Sequence, residues 1–132
     1  MSAEIHWLSL TMGMTLLFWI PYVLNRMAVR GVMGTVANPS PADKPLSDWA
    51  TRAKAAHANA IENLAVFAPA ALAVHALGLG DGLTATGGAI YFYSRLAHFV
   101  LYTAGVPVLR TLAFFGGWIG TVILVLRLLG IA

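Results

Sequence analysis

The sequence predicts an all-α integral membrane protein, an up-down four-helix transmembrane bundle. Its 132 residues are 59% hydrophobic and only 10% charged, whereas a soluble domain is about half apolar and a quarter charged. Eight Lys or Arg and five Asp or Glu residues are too few to cover the surface of such a domain in water. Since four long apolar segments follow one another along the chain, we expect a single membrane domain over residues 1–132.

The composition also excludes several classes of function. The chain has no cysteine, which rules out disulfides, thiolate metal sites and cysteine nucleophiles. The formal net charge is +3, but the basic residues are scattered and form no stripe for a nucleic acid. No set of His, Asp and Glu has metal-ligand spacing, and no Ser-His-Asp arrangement is visible. We therefore expect no metal and no nucleic-acid partner.

The first predicted span covers residues 5–25, an apolar run bounded by Glu4 and Arg26. A membrane helix needs about 20 consecutive apolar residues, because each residue rises about 1.5 Å and the helix must satisfy its own backbone. The acidic Glu4 and the length of the run argue against a signal peptide. The proline-rich stretch that follows predicts a surface loop over residues 26–47.

Local signals separate the other three spans, which are predicted over residues 48–77, 83–105 and 108–129. Ser47 is a good N-cap for the second span. A glycine-rich turn at 78–82 ends it, and Pro107 marks the turn before the fourth span. Gly116 and Gly120 form a G-x-x-x-G step, which allows close approach of a helix from the same chain or from another.

The distribution of basic residues predicts the orientation in the membrane. Six of them lie beside the first and third connections, namely Arg26, Arg30, Lys44, Arg52, Lys54 and Arg110. Only Arg127 lies on the opposite side. We therefore expect a multi-pass protein with both termini outside and the loop 26–47 in the cytoplasm.

Polar side chains inside the spans are the candidate functional residues, because lipid disfavours them unless they pair or contact water. Steps of three and four residues run along one face of each middle helix, through Arg52, Ala55, Asn59 and Glu62 on the second and through Tyr91, Arg95, His98 and Tyr102 on the third. Both faces fall in the cytoplasmic half of the membrane. His57 lies close to them, and Arg110 and Thr111 lie at the rim.

Each of these residues also has a structural explanation. Glu62 and Arg95 would neutralise one another and hold two helices in register. His98 would be a core histidine bonded to Tyr102 one turn later, and Arg110 would be an anchor that extends to the membrane surface. The residue pattern leaves both explanations open. In either case it predicts that Glu62 pairs with Arg95, within or between subunits.

Two motifs connect these residues to a known family. The first is Arg52-Ala-Lys-Ala-Ala-His57-Ala-Asn59-Ala-Ile-Glu62-Asn-Leu, followed by Phe67 and Pro69; the second is Arg95-x-x-His98-x-x-x-Tyr102, then Pro107 and Arg110-Thr111. The first resembles the helix-two signature of the MAPEG family, the membrane-associated proteins in eicosanoid and glutathione metabolism. The second is similar to the signature of its prostaglandin E synthase branch. The likeness covers nearly the whole chain and suggests a bacterial-type member.

The resemblance implies a homotrimer in membrane lipid with a glutathione site between neighbouring subunits. Arg110 matches the arginine that stabilises the glutathione thiolate, with Thr111 where a serine is common. The residues that match positions lining or supporting the site are Arg52, His57, Asn59, Glu62, Arg95, His98 and Tyr102. The implied function is a glutathione-dependent transferase or peroxidase that acts on lipophilic electrophiles from the bilayer.

Two alanines depart from the family pattern. Ala55 occupies a position where family enzymes usually carry an arginine for the peptide carboxylates, and some carry another at Ala58. Arg52, Lys54 or His57 would then have to supply the missing charge. The alternative function is a noncatalytic lipid-binding or scaffolding trimer with a degenerate glutathione site.

Overall fold

The computed structural model describes residues 1–132 and is entirely helical, without a strand. Its five α-helices are α1 Ala3–Leu17, α2 Trp19–Val36, α3 Asp48–Ala76, α4 Gly82–Ala104 and α5 Pro107–Leu128. Helices α1 and α2 follow one another as one 34-residue helical segment, so the chain forms four helical rods. The all-α fold with four helices is therefore confirmed.

The first helical segment differs from the predicted span in two ways. It is interrupted at Phe18, because Pro21 has no N–H to donate to the carbonyl of Leu17 one turn earlier. It then continues to Val36, with a non-helical residue at Gly31. The connection expected over 26–47 thus begins only after Val36, since arginine, alanine and methionine are good helix formers and no proline follows before Pro39.

The other helices lie within one residue of their predicted bounds. Ser47 is the residue before α3, but its side chain makes no capping hydrogen bond. Instead, Ser47 Oγ accepts a hydrogen bond of 2.9 Å from Asn25 Nδ2, which ties the start of α3 to α2. At the other end, Gly78 has φ +64°, a conformation that favours glycine and ends the helix.

Small residues of α3 form much of the interior. Its buried side chains recur at helical spacing and include Ala50, Ala53, Ala56, Ala60 and Phe67. The ring of Phe67 stacks on that of Tyr91 from α4, with centroids 3.7 Å apart. Leu8 of α1 and Leu124 of α5 complete the same apolar cluster. The core therefore lies where α1, α3, α4 and α5 meet.

Glycines bring α4 and α5 into close contact within one chain. A Cβ on Gly120 would lie 2.5 Å from the carbonyl oxygen of Gly87 and 3.0 Å from the backbone nitrogen of Tyr91. No side chain fits at such distances, so the backbones approach only because both positions are glycine. The partner of Gly120 is thus a helix of the same chain.

Two helical segments, Ala3–Val36 and Pro107–Leu128, are long and apolar enough to cross a membrane. Most of their apolar surface is not covered by the chain itself: Leu16 is 70% exposed and Leu112 is 62% exposed. Helices α3 and α4, of 29 and 23 residues, are long enough to span but carry the polar side chains. Apolar faces of this extent are typical of contact with lipid or with other subunits.

Candidate functional site

A buried arginine lies between α3 and α4. Arg95 is only 2% exposed, and its Nη2 donates a hydrogen bond of 2.7 Å to Asn59 Oδ1. The same nitrogen lies 3.3 Å from Nδ1 of His98, one turn later on α4. Nε and Nη1 of Arg95 have no hydrogen-bond partner, and neither ion pair of the chain includes this arginine. The guanidinium is thus held by an amide and an imidazole rather than by a carboxylate.

Glycine on the neighbouring helix makes room for this side chain. A Cβ on Gly117 of α5 would lie 3.1 Å from Cδ of Arg95, which is tighter than ordinary van der Waals contact. Tyr91, one turn before Arg95, is 1% exposed, and its hydroxyl also has no partner. The close packing of α4 on α5 therefore encloses a polar cluster that water does not reach.

Aromatic contacts extend this cluster to α5. The rings of His98 and Tyr102 meet edge to face, with centroids 5.5 Å apart. Cζ of Arg110 lies 4.4 Å from the centroid of the Tyr102 ring, a cation–π geometry. Contacts thus run without a break from Asn59 on α3 through α4 to Arg110 in the first turn of α5. We call these five residues, Asn59, Arg95, His98, Tyr102 and Arg110, the polar chain.

A cavity of about 660 Å³ lies beside the polar chain, between α3 and α5. Its polar lining comes from Asn59, Glu62 and Asn63 on α3 and from Thr121 on α5. The rest is apolar and consists of Val66, Phe114, Trp118, Val122, Val125 and Leu126. Asn59 is the one residue that belongs to both the cavity wall and the polar chain. The cavity therefore joins a polar end to a longer apolar region.

The ion pair expected between Glu62 and Arg95 is not formed within the chain. Glu62 is exposed on the cavity wall, and its carboxylate has no ion-pair partner. Asn59 precedes Glu62 by three residues and takes the place at Arg95 instead. Arg95 is buried by its own chain, and a pair with Glu62 of a neighbouring subunit stays a prediction.

Three other predicted residues lie away from the cavity. Arg52 donates from Nε to the carbonyl of Thr103, at 3.1 Å, and so stabilises the C-terminal end of α4. His57 faces α2, where its Nδ1 is 2.8 Å from the hydroxyl of Tyr22. Thr111 is exposed and donates to the carbonyl of Pro107 in its own helix.

Sequence reasoning overlooked part of the cavity wall and the partner of His57. Asn63 donates from Nδ2 to the backbone and side-chain oxygens of Asn59; its place one turn after Asn59 is the signal that was available. Tyr22 lies beyond the interruption at Phe18, so helical spacing does not place it beside His57. Trp118 resembles an ordinary membrane aromatic in sequence, and only the packing puts it at the cavity.

Comparisons with known proteins give one family. The MAPEG family matches residues 5–130, which is nearly the whole chain. No curated protein and no solved structure matches the chain.

Proposed function

The chain belongs to the MAPEG family, membrane proteins with glutathione-related functions of the transferase and peroxidase type, and we propose that it conjugates or oxidises glutathione at the cavity between α3 and α5. Its second substrates are lipophilic electrophiles or hydroperoxides that enter from the bilayer. The observation that carries this proposal is the polar chain beside a largely apolar cavity, with Asn59 common to both. A polar peptide and an apolar acceptor need such a junction.

The groups around the cavity suit part of glutathione. Glu62 is an exposed carboxylate without a partner, which suits the ammonium group of the tripeptide. Arg110 does not line the cavity, but it lies one turn before Phe114, which does, and in this proposal its guanidinium faces the thiol. Arg95 is too buried to touch a ligand, and in this proposal it positions the amide of Asn59 and the ring of His98.

The two carboxylates of glutathione have fewer partners. Ala55 and Ala58 are both exposed on α3 but carry no charge. Arg52 is engaged at the end of α4 and His57 at Tyr22. Lys54 forms no ion pair, but it lines a separate cleft and not this cavity. We therefore expect weak binding of glutathione.

Arg110 is the residue proposed to activate the thiol. A guanidinium beside a thiol favours its ionised form and so lowers its pKa. The thiol loses its proton, and the sulfur then attacks with its lone pair. With an electrophilic carbon, an S–C bond forms as the leaving group departs or a double bond accepts the electron pair. With a hydroperoxide, the sulfur attacks the terminal oxygen, an S–O bond forms as the O–O bond breaks, and the other oxygen leaves as the alcohol after taking up a proton. The resulting sulfenic acid reacts with a second glutathione to give the disulfide and water.

The proposed assembly is a homotrimer in which a neighbouring subunit closes the cavity. The exposed apolar side chains of α1 and α5 and the unpaired Glu62 support such a contact. We also propose the inner membrane of a bacterium, with both termini outside and the loop of residues 37–47 in the cytoplasm. Reporter fusions after Leu129 and within residues 37–44 should report opposite sides, and a cytoplasmic C-terminus would overturn this orientation.

A second candidate function is a noncatalytic lipid-binding trimer. The uncharged Ala55 and Ala58 and the mainly apolar wall of the cavity favour it. In this case lipid acyl chains would occupy the cavity, and the polar chain would only stabilise the bundle.

Ultraviolet difference spectroscopy of bound glutathione separates the two candidates, because the thiolate absorbs and the thiol does not. We expect a thiolate signal at neutral pH with the wild-type protein, its loss in Arg110→Ala, and its retention in Arg127→Ala at the other end of α5. S-methylglutathione, which has no thiol, should bind without the signal. Absence of both the signal and the binding would favour the lipid-binding trimer.

A further inference from the structure

A basic cleft lies at the end of the bundle where the first connection meets α3. It has a volume of about 460 Å³, and its charged side chains are Arg26, Arg30, Lys54 and Asp43. Three cations and one carboxylate leave two positive charges in excess. The cleft shares no lining residue with the cavity between α3 and α5. The basic cleft is thus separate from the cavity between α3 and α5, whose lining is mostly apolar.

One of the three cations is already held in place. Nε of Arg30 donates to the carbonyl of Lys44, at 2.7 Å, and its Nη1 lies 3.6 Å from Oδ2 of Asp43. These contacts fix the loop against α2 and use the only carboxylate of the cleft. The geometry of the cleft is therefore set before any ligand binds.

The other two cations have no anionic partner. Arg26 and Lys54 take part in neither ion pair of the chain, and Nε of Arg26 is buried without a hydrogen bond. An arginine N–H without a partner is unfavourable, and an anionic oxygen would satisfy it. The excess charge of the cleft is thus concentrated on Arg26 and Lys54.

The start of α3 adds to this positive field. Leu46 and Thr51, on either side of the N-terminus of α3, both line the cleft. The side chain of Ser47 is engaged with Asn25 and does not cap the helix, so the first backbone N–H groups remain available. The N-terminus of a helix attracts anions through these groups and through its dipole. The carboxylate of Asp48, in the same turn, opposes this attraction, but Asp48 is exposed and does not line the cleft.

The depth of the cleft indicates which anion it would meet. Arg26 directly follows the apolar run of residues 5–25, so the cleft opens where the apolar part of the membrane ends. Trp49, at the start of α3, is 40% exposed, and tryptophan is enriched at that level of a bilayer. Basic clefts between membrane helices at this depth bind the head groups of anionic lipids.

We propose that the cleft of Arg26, Arg30 and Lys54 binds a phosphate group, supplied by the head group of an anionic phospholipid. Arg30 and the loop form the fixed wall, and Arg26 and Lys54 supply the charge that attracts the phosphate. Free inorganic phosphate offers the same chemistry from another source, and the experiment distinguishes the two.

The test uses the full-length protein in an uncharged detergent, with short-chain phosphatidylglycerol, short-chain phosphatidylcholine and inorganic phosphate as separate probes. Binding is followed by native mass spectrometry and by the shift in melting temperature. We expect phosphatidylglycerol to bind most tightly, and Lys54→Gln to weaken it about fivefold, as expected for about 1 kcal/mol per lost charge. Lys44→Gln is the matched control, because it removes a charge from the same region outside the cleft lining.

Lys54 is exposed, so Lys54→Gln should keep its helical circular dichroism and its elution volume, and Arg26→Gln provides a second variant. Equal binding of inorganic phosphate and phosphatidylglycerol, weakened by Lys54→Gln alone, would identify free phosphate as the source and still support the cleft as a phosphate site. Failure of all three probes to bind would overturn the proposal. So would an equal effect of Lys54→Gln and Lys44→Gln.

Discussion

Arg95 and Asn59 are joined across the interface of α4 and α3 by a hydrogen bond of 2.7 Å from Nη2 to Oδ1. Arg95 is almost completely buried and has no carboxylate partner. The neutral amide therefore occupies the position where an acidic side chain would be expected in a membrane protein. This bond also links the polar chain to the cavity, because Asn59 lines the cavity wall.

The first prediction concerns the stability of this pair. Asn59→Ala should lower the free energy of unfolding by about 1.5 to 3 kcal/mol, since a buried charged donor loses its acceptor. Glu62→Gln, one turn later, should leave stability nearly unchanged because Glu62 has no ion-pair partner in the chain. Thermal or denaturant unfolding in detergent measures both. A loss of stability in Glu62→Gln as large as that in Asn59→Ala would contradict this account and support an ion pair between Glu62 and Arg95.

A second prediction concerns the contact of α4 with α5. Gly120→Ala places a Cβ 2.5 Å from the Gly87 carbonyl, and overpacking of this kind typically costs about 1 to 3 kcal/mol. Gly13→Ala is the matched control, because a Cβ there meets nothing within 4 Å. It should be neutral or stabilising by up to about 1 kcal/mol, since alanine favours helix over glycine. Equal melting temperatures of the two variants would contradict this packing.

The sequence predicts the helices better than it predicts their partners. Apolar runs and turn residues locate α3, α4 and α5 closely, because helix ends depend on local signals such as Gly78 and Pro107. The end of α2 is missed because Arg26 ends the apolar run but not the helix. A change in polarity marks where lipid ends, whereas the helix continues as long as its backbone hydrogen bonds do.

In the candidate site, too, the sequence predicts the local pattern on each helix but not the contacts between helices. Helical spacing correctly collects Arg95, His98 and Tyr102 on one face of α4, because that pattern is local. It does not decide whether Asn59 or Glu62 lies level with Arg95, since both share a face of α3 and the choice depends on how the helices are packed. Side chains that meet between two helices, such as Tyr22 of α2 and His57 of α3, are beyond the periodic pattern of either helix.

A third prediction concerns the pH dependence of stability at the turn before α4. The carboxylate of Asp81 accepts a hydrogen bond from the backbone N–H of Thr84. This bond is the main reason that the pKa of Asp81 lies below its ordinary value of 3.8. Arg127 and the N–H of Leu83 also lower this pKa. A lowered pKa in the folded state means that the ionised group stabilises the fold above its unfolded pKa. This stabilisation is lost as the pH falls through the folded pKa.

Asp81→Asn should therefore lower the melting temperature at pH 7, and its difference from the wild-type protein should shrink below about pH 4. Arg127→Gln should keep most of the pH dependence, because the backbone hydrogen bonds to Asp81 remain. Melting temperatures measured against pH test both variants. A difference between Asp81→Asn and the wild-type protein that stays constant with pH would show that ionised Asp81 does not contribute.

The central claim is that this bundle holds glutathione in spite of the alanines at 55 and 58. Isothermal titration calorimetry with glutathione tests it on the wild-type protein and on Ala55→Arg, Arg110→Ala and Ala42→Arg. We predict weak binding in the wild-type protein and tighter binding in Ala55→Arg, because the new arginine can form a charge-assisted hydrogen bond with a glutathione carboxylate. The affinity should rise about tenfold for each 1.4 kcal/mol gained. Ala42→Arg, in the exposed loop, should change nothing, and Arg110→Ala should weaken binding. No heat at millimolar glutathione from either the wild-type protein or Ala55→Arg would contradict a glutathione site and favour the lipid-binding trimer.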